Sequence, residues 1–173
     1  MFSIGDRVVH PMHGAGIIDG IVQERINGCC QEYYVFKMPI GGLLLKIPIA
    51  NSQLIGLRSV VDRAQAEQVI RDIPSLQVDM TSNWNRRYRE NMERLKSGDL
   101  YEVARVIKGL MRRDSEKGLS TGERKMLHSA KQILISEIVL TEGTEYSETE
   151  GRINRAVMAG AASGAENGGG IGL

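Results

Sequence analysis

Residues 17–38, IIDGIVQERINGCCQEYYVFKM, decide how the first third of the chain folds. Two runs suited to strands, residues 17–26 and 31–38, flank the dipeptide Asn27-Gly28. Both residues of that dipeptide tolerate positive φ, which the two-residue turn of a β-hairpin requires. The segment therefore reads as two antiparallel strands joined by a tight turn. Upstream, residues 4–10 form a short apolar-polar run closed by Pro11, and Gly14 and Gly16 break the pattern as a bend. No Lys-Ser/Thr comes after these glycines, so they do not make a phosphate loop. Downstream, Pro39 and Gly41-Gly42 supply a turn, and residues 43–47 form a further strand stopped by Pro48. Short strands and tight turns within about 55 residues predict a small curled sheet or barrel. So small a unit has little core of its own, and it is expected to lean on the C-terminal part of the chain.

Beyond the strands the chain reads as helix. Asp62 caps a helix ending near Ile73, where Pro74 breaks it. Residues 75–82 are a connector. A helix from Asn83 to Lys96 stops at Gly98, and a second runs from the N-cap Asp99 to Gly118. Ser120-Thr121-Gly122-Glu123 matches the capping box and opens a third, to about Thr141, whose later half is apolar nearly all round. Ser147-Glu148-Thr149-Glu150 repeats the capping pattern ahead of a short helix to about Ala159. The Gly-rich end, residues 163–173, is expected to be disordered. The fold class is α+β: a β-domain over residues 1–58, a helix and connector over 59–75, and a helical domain over 76–162.

The net charge of +1 hides an uneven distribution. Residues 1–75 are neutral, residues 76–135 carry +5 and residues 136–173 carry −4. A neutral head, a basic middle and an acidic tail suggest different partners along one chain. No run approaches the roughly 18 apolar residues of a membrane span. The opening MFSIGDRVVH lacks the basic-then-apolar pattern of a signal peptide. Cys29 and Cys30 are adjacent, which suits a free thiol pair in a reduced cytoplasmic protein better than a disulfide.

Catalysis has little support. His10 and His13 flank Pro11 in a turn, and His128 stands apart, so no triad or metal spacing forms. Residues 83–96, NWNRRYRENMERLK, say more. Trp84, Tyr88, Met92 and Leu95 fall within one narrow arc of a helix, surrounded by Arg86, Arg87 and Arg89. The lone tryptophan is either the top of a core stripe or a ring that projects past the bundle. In the first helical turn, beside three guanidinium groups, it has the make-up of a wedge for an unstacked base step. Arg105, Lys108, Arg112 and Arg113 form a second basic set, and Lys117, Arg124, Lys125 and Lys131 extend it; a solvated face laced with Glu102, Glu116 and Glu123 explains the same charges. On the β-part, Arg25, Ile26 and Lys46 stand near strand ends, where an open edge can take a partner's strand.

The blocks IGDRVVHPMHGAGII, EYYVFKM, LLLKIPIAN, NWNRRYRENMERLKSGD and GLSTGERKML together resemble the CarD/CdnL family of bacterial transcription regulators, over about residues 3–140. The resemblance implies a Tudor-like N-terminal domain that binds the RNA polymerase β subunit, similar to the polymerase-binding module of the transcription-repair coupling factor. It also implies a helical domain on promoter DNA at the upstream edge of the bubble, stabilising the open complex. Trp84 then wedges into the minor groove, and nearby basic residues, matched here by Arg86, Arg87 and Arg89, hold the backbone; from the second basic set, Arg112, Arg113 and Lys125 are expected to contact DNA with them. Arg25, Ile26 and Lys46 face polymerase, with Lys46 at a position often occupied by arginine. Lysine lacks the bidentate carboxylate grip of arginine, so this contact is expected to be weaker. A monomer is expected, associated with the nucleoid through polymerase, with no cofactor, metal, membrane or small-molecule substrate. Two alternatives remain at this point: a KOW-like RNA-binding module, and a polymerase-only adaptor whose Trp84 is buried.

Overall fold

Turn chemistry lays out the sheet. The structure, a computed structural model, describes residues 1–165, with side chains to residue 160. Asn27 and Gly28 adopt φ of 51° and 80°, and Ile26 stands opposite Cys29 across the turn. These values close a hairpin between β2 (Gly14–Ile26) and β3 (Cys29–Lys37). With β1 (Arg7–His10), β4 (Leu44–Pro48) and β5 (Arg58–Ser59) they form one antiparallel sheet of order β4-β3-β2-β1-β5. Val8, Ile18, Tyr34, Phe36, Met38, Ile47 and Leu57 bury themselves on one face. A short helix, α1 (Ser52–Ile55), and the segment around it close that core.

Gly14 and Gly16 do not interrupt β2; the strand begins at Gly14. Their bareness answers to packing. A Cβ on Gly16 would sit 2.5 Å from Phe36 Cζ and 2.6 Å from the Lys37 carbonyl oxygen. One on Gly14, at φ +93°, would meet Ser136 Oγ at 2.5 Å. Gly16→Ala is accordingly expected to cost about 1–3 kcal/mol through overpacking, read as a lowered urea midpoint at unchanged slope.

The helical part comprises α2 (Arg63–Asp72), α3 (Trp84–Lys96), α4 (Leu100–Lys117), α5 (Thr121–Glu142) and α6 (Tyr146–Ala165). Asp62 caps α2 in a reciprocal box with Gln65, Asn83 caps α3, Asp99 caps α4 and Ser120 caps α5. Ile133, Leu134, Ile135 and Ile138 of α5 are buried in the helical core, as their all-round apolarity requires. The last helix differs from expectation. It starts one residue before Ser147, so that serine is no cap, and it runs on past Ala159. Packing against the turn Ile73–Ser75, where Pro74 abuts Gly160, carries it further than its own composition suggests. Of the tail, residues 166–173 lie outside the described residues, while 163–165 are helical.

The sheet leans on α5, and hydrogen bonds tie this part of the chain to the helix. Ala15 N–H donates to Ser136 Oγ at 2.9 Å, and Thr141 Oγ1 donates to the Val61 carbonyl at 3.0 Å. The Arg58 guanidinium grips both oxygens of fully buried Glu137 at 2.7 and 2.8 Å, and Val61 N–H donates to the same carboxylate at 2.9 Å. Among the described residues no helix is long and apolar enough to cross a membrane.

Candidate functional site

The N-termini of α3 and α5 meet. Trp84, first residue of α3, stacks on Tyr88 one turn later, with ring centroids 5.2 Å apart and planes 20° from parallel. Its Nε1–H donates to Ser120 Oγ, the cap of α5, at 3.0 Å. Gly122 leaves the ring's Cζ2 edge without a side chain against it; a Cβ there would stand 3.7 Å away. The ring is thus held on one side and remains 43% exposed. A core tryptophan would not be.

Arg87 departs from the expected cluster. It is 1% exposed, and its Nε and Nη2 donate to the two Glu123 oxygens at 2.8 and 3.1 Å. Its Nη1 donates to the Thr81 and Ser82 carbonyls. With four of its five donors so engaged and the side chain buried, it is not presented to a phosphate. The buried row of α3 is Arg87, Asn91 and Leu95, while Tyr88 and Met92 flank it half-buried. Those Arg87 hydrogen bonds, ahead of the opposing effect of burial, hold the Glu123 carboxyl below its ordinary range. Because Glu123 turns to Arg87, the box predicted at α5 is only half made: Ser120 accepts from Glu123 N–H, at 3.2 Å.

The remaining cations sort by their partners. Arg86 is exposed and pairs with Glu90 at 2.9 Å. Arg89, Arg124 and Lys125 are exposed and make no ion pair among the described residues. Arg113 is half-buried, its charge felt at Glu123. Arg112 is half-buried beside it, and both line a groove under residues 78–82. The row Arg105, Lys108, Arg112 is not a solvent-facing stripe. Arg105 bonds Glu102 at 2.6 Å, and buried Lys108 donates to the carbonyls of Ile73, Pro74 and Leu76 at 2.8–2.9 Å. Burial lowers the Lys108 pKa from the ordinary lysine value, with Arg112 adding to the effect.

On the sheet, register divides the three expected partner residues. Val35 lies opposite both Gly20 and Lys46, so alternation puts Val22, Glu24, Ile26, Tyr33, Leu44 and Lys46 on one face. Arg25 points to the other face with Gln23 and Cys30. The Ile26 face lies opposite the β-core, and Ile26 and Leu44 are about half exposed on it. Lys46 Nζ pairs with Glu24 across the intervening strand. The half-buried His10 ring packs on His13 at 4.5 Å; burial, aided by the His13 charge, lowers its pKa to about 4. No group of three or more metal-ligating side chains forms among the described residues.

Residues 2–61 match the family model described as the CarD-like/TRCF RID domain, and residues 68–154 match that of the CarD C-terminal domain. The chain belongs to the CarD family of transcription regulators. A relative in Bacillus subtilis (strain 168), bearing the name "Putative transcription factor YdeB", is 36% identical over 143 residues, covering 83% of this chain and 94% of the relative. In a CarD-family chain the N-terminal domain type implies an interaction with RNA polymerase in general. The residues that sequence reasoning missed here are Ser120 and Glu123 as partners of Trp84 and Arg87. Their capping pattern marked the spot, but nothing in it announced a contact 36 residues away.

Proposed function

We propose that this CarD-family chain docks the Ile26–Lys46 face of its sheet on the RNA polymerase β subunit and sets Trp84 at the upstream edge of the promoter bubble, stabilising the open complex. The observation that carries this reading is a large ring, 43% exposed, fixed at the meeting point of two helix N-termini. Helix N-termini favour phosphate, and an apolar ring can fill a base step once it is unstacked. Arg86, Arg89 and Lys125, with Arg112 and Arg113 behind them, supply charge for the backbone without reading sequence. Arg87 is assigned to the scaffold instead. A polymerase-only adaptor with a buried Trp84 is disfavoured by the same exposure.

Unstacking a step costs a few kcal/mol. A ring that offsets about 1.4 kcal/mol shifts the open–closed balance about tenfold. The test is open-complex lifetime on a ribosomal RNA promoter with the cognate polymerase. Wild type should lengthen it, and Trp84→Ala should forfeit about tenfold while polymerase affinity stays the same. Equal lifetimes with the two proteins would remove the wedge from the mechanism.

A further inference from the structure

Ser120 has one hydroxyl donor and two acceptor positions, and all three are in use. Its Oγ accepts from Trp84 Nε1–H at 3.0 Å and from Glu123 N–H at 3.2 Å. Its proton points to Glu123 Oε1 at 3.3 Å. That carboxylate is itself clamped by the buried Arg87, and Arg87 is anchored by the Thr81 and Ser82 carbonyls just before α3. A continuous chain of hydrogen bonds therefore runs from the buried ion pair to the tip of the exposed ring. Tyr88 holds the ring by its face, and Ser120 holds it by its nitrogen. An exposed side chain on a helix's first turn ordinarily samples several staggered χ1 wells.

We infer that Ser120 is a positioning residue for Trp84: besides capping α5, its hydroxyl selects the one ring orientation in which the indole stands ready to enter DNA. This rests on the proposed role of Trp84. Preorganisation of this kind removes an ordering cost at the moment of binding. Freeing one torsion with three wells dilutes the competent orientation about threefold.

The test uses the full-length protein and the fact that Trp84 is its one tryptophan. Time-resolved fluorescence anisotropy of the free protein reports the motion of the ring, thermal melting reports the cap, and open-complex lifetime reports function. Ser120→Ala should increase fast ring motion and shorten the lifetime about threefold, with polymerase affinity unchanged. Ser120→Thr, which keeps the hydroxyl, should restore both. If Ser120→Ala lowers the melting temperature yet leaves ring motion and lifetime at wild-type values, Ser120 is a helix cap and nothing more. If Trp84→Ala leaves the lifetime unchanged, the wedge itself is wrong and the positioning role falls with it. The anisotropy of the free protein separates these two failures, since it requires neither DNA nor polymerase.

Discussion

Arg87→Ala should destabilise the protein by about 3–5 kcal/mol, because it leaves the Glu123 carboxylate buried without its partner. Glu123 is 2% exposed and Arg87 1%, so water cannot replace either side. The variant also strips the Thr81 and Ser82 carbonyls of their donor, loosening the entry to α3. Urea unfolding followed by circular dichroism measures the loss directly. The pH dependence gives a second check. Arg87 depresses the Glu123 pKa in the folded state, so the pair's stabilisation is present above the unfolded carboxylate value of about 4.3. It is lost as pH falls through the depressed folded value. Arg87→Ala should lack this acid-side loss. A double replacement, Arg87→Met with Glu123→Leu, should recover much of the stability, since an apolar pair no longer strands a charge. A near-neutral Arg87→Ala would mean that the pair is solvated.

Lys108→Met should cost about 2–4 kcal/mol, for the opposite reason: it removes a buried charge and strands its acceptors. The ammonium gathers the Ile73, Pro74 and Leu76 carbonyls where the chain leaves α2; of the three, the Ile73 carbonyl also accepts from Leu76 N–H, at 3.2 Å. Methionine fills the same volume without a donor, so lost packing does not confound the measurement. The loss should appear as a lower urea midpoint, with hydrogen exchange speeding up around residues 73–76. An unchanged midpoint would show that water serves those carbonyls equally well.

These two residues also mark where the sequence stops being legible. Hairpin and cap chemistry is local. Asn27-Gly28, Asp62, Asp99 and Ser120 each stand at the turn or helix start that their side chains favour. The family motifs carried the rest of the fold class. Arg87 and Lys108 are different. Each is a strong charge on an amphipathic helix, and such a charge reads as solvated unless its partner is known. The partners lie 36 and 32–35 residues away. Gly14 and Gly16 misled in the same manner, since a bend and a close approach both ask for a missing Cβ. Trp84 was placed on the first turn of α3 by its spacing, but its tie to Ser120 required the meeting of α3 and α5. Ile26 and Lys46 fall on one face because of strand register, which also sends Arg25 to the other.

Helix α5 starts at the cap that touches Trp84 and carries, near its far end, the carboxylate that grips Arg58. Seventeen residues of rise separate Ser120 from Glu137, about 25 Å at 1.5 Å per residue. The helix is in effect a ruler with one end at the ring and the other at the sheet. Two binding surfaces on a flexible tether must search for each other's targets, with an effective concentration set by the slack. Under the proposed function, surfaces on a ruler share one frame: seating the sheet on polymerase would fix where the ring arrives, and displacing the ring would load the sheet.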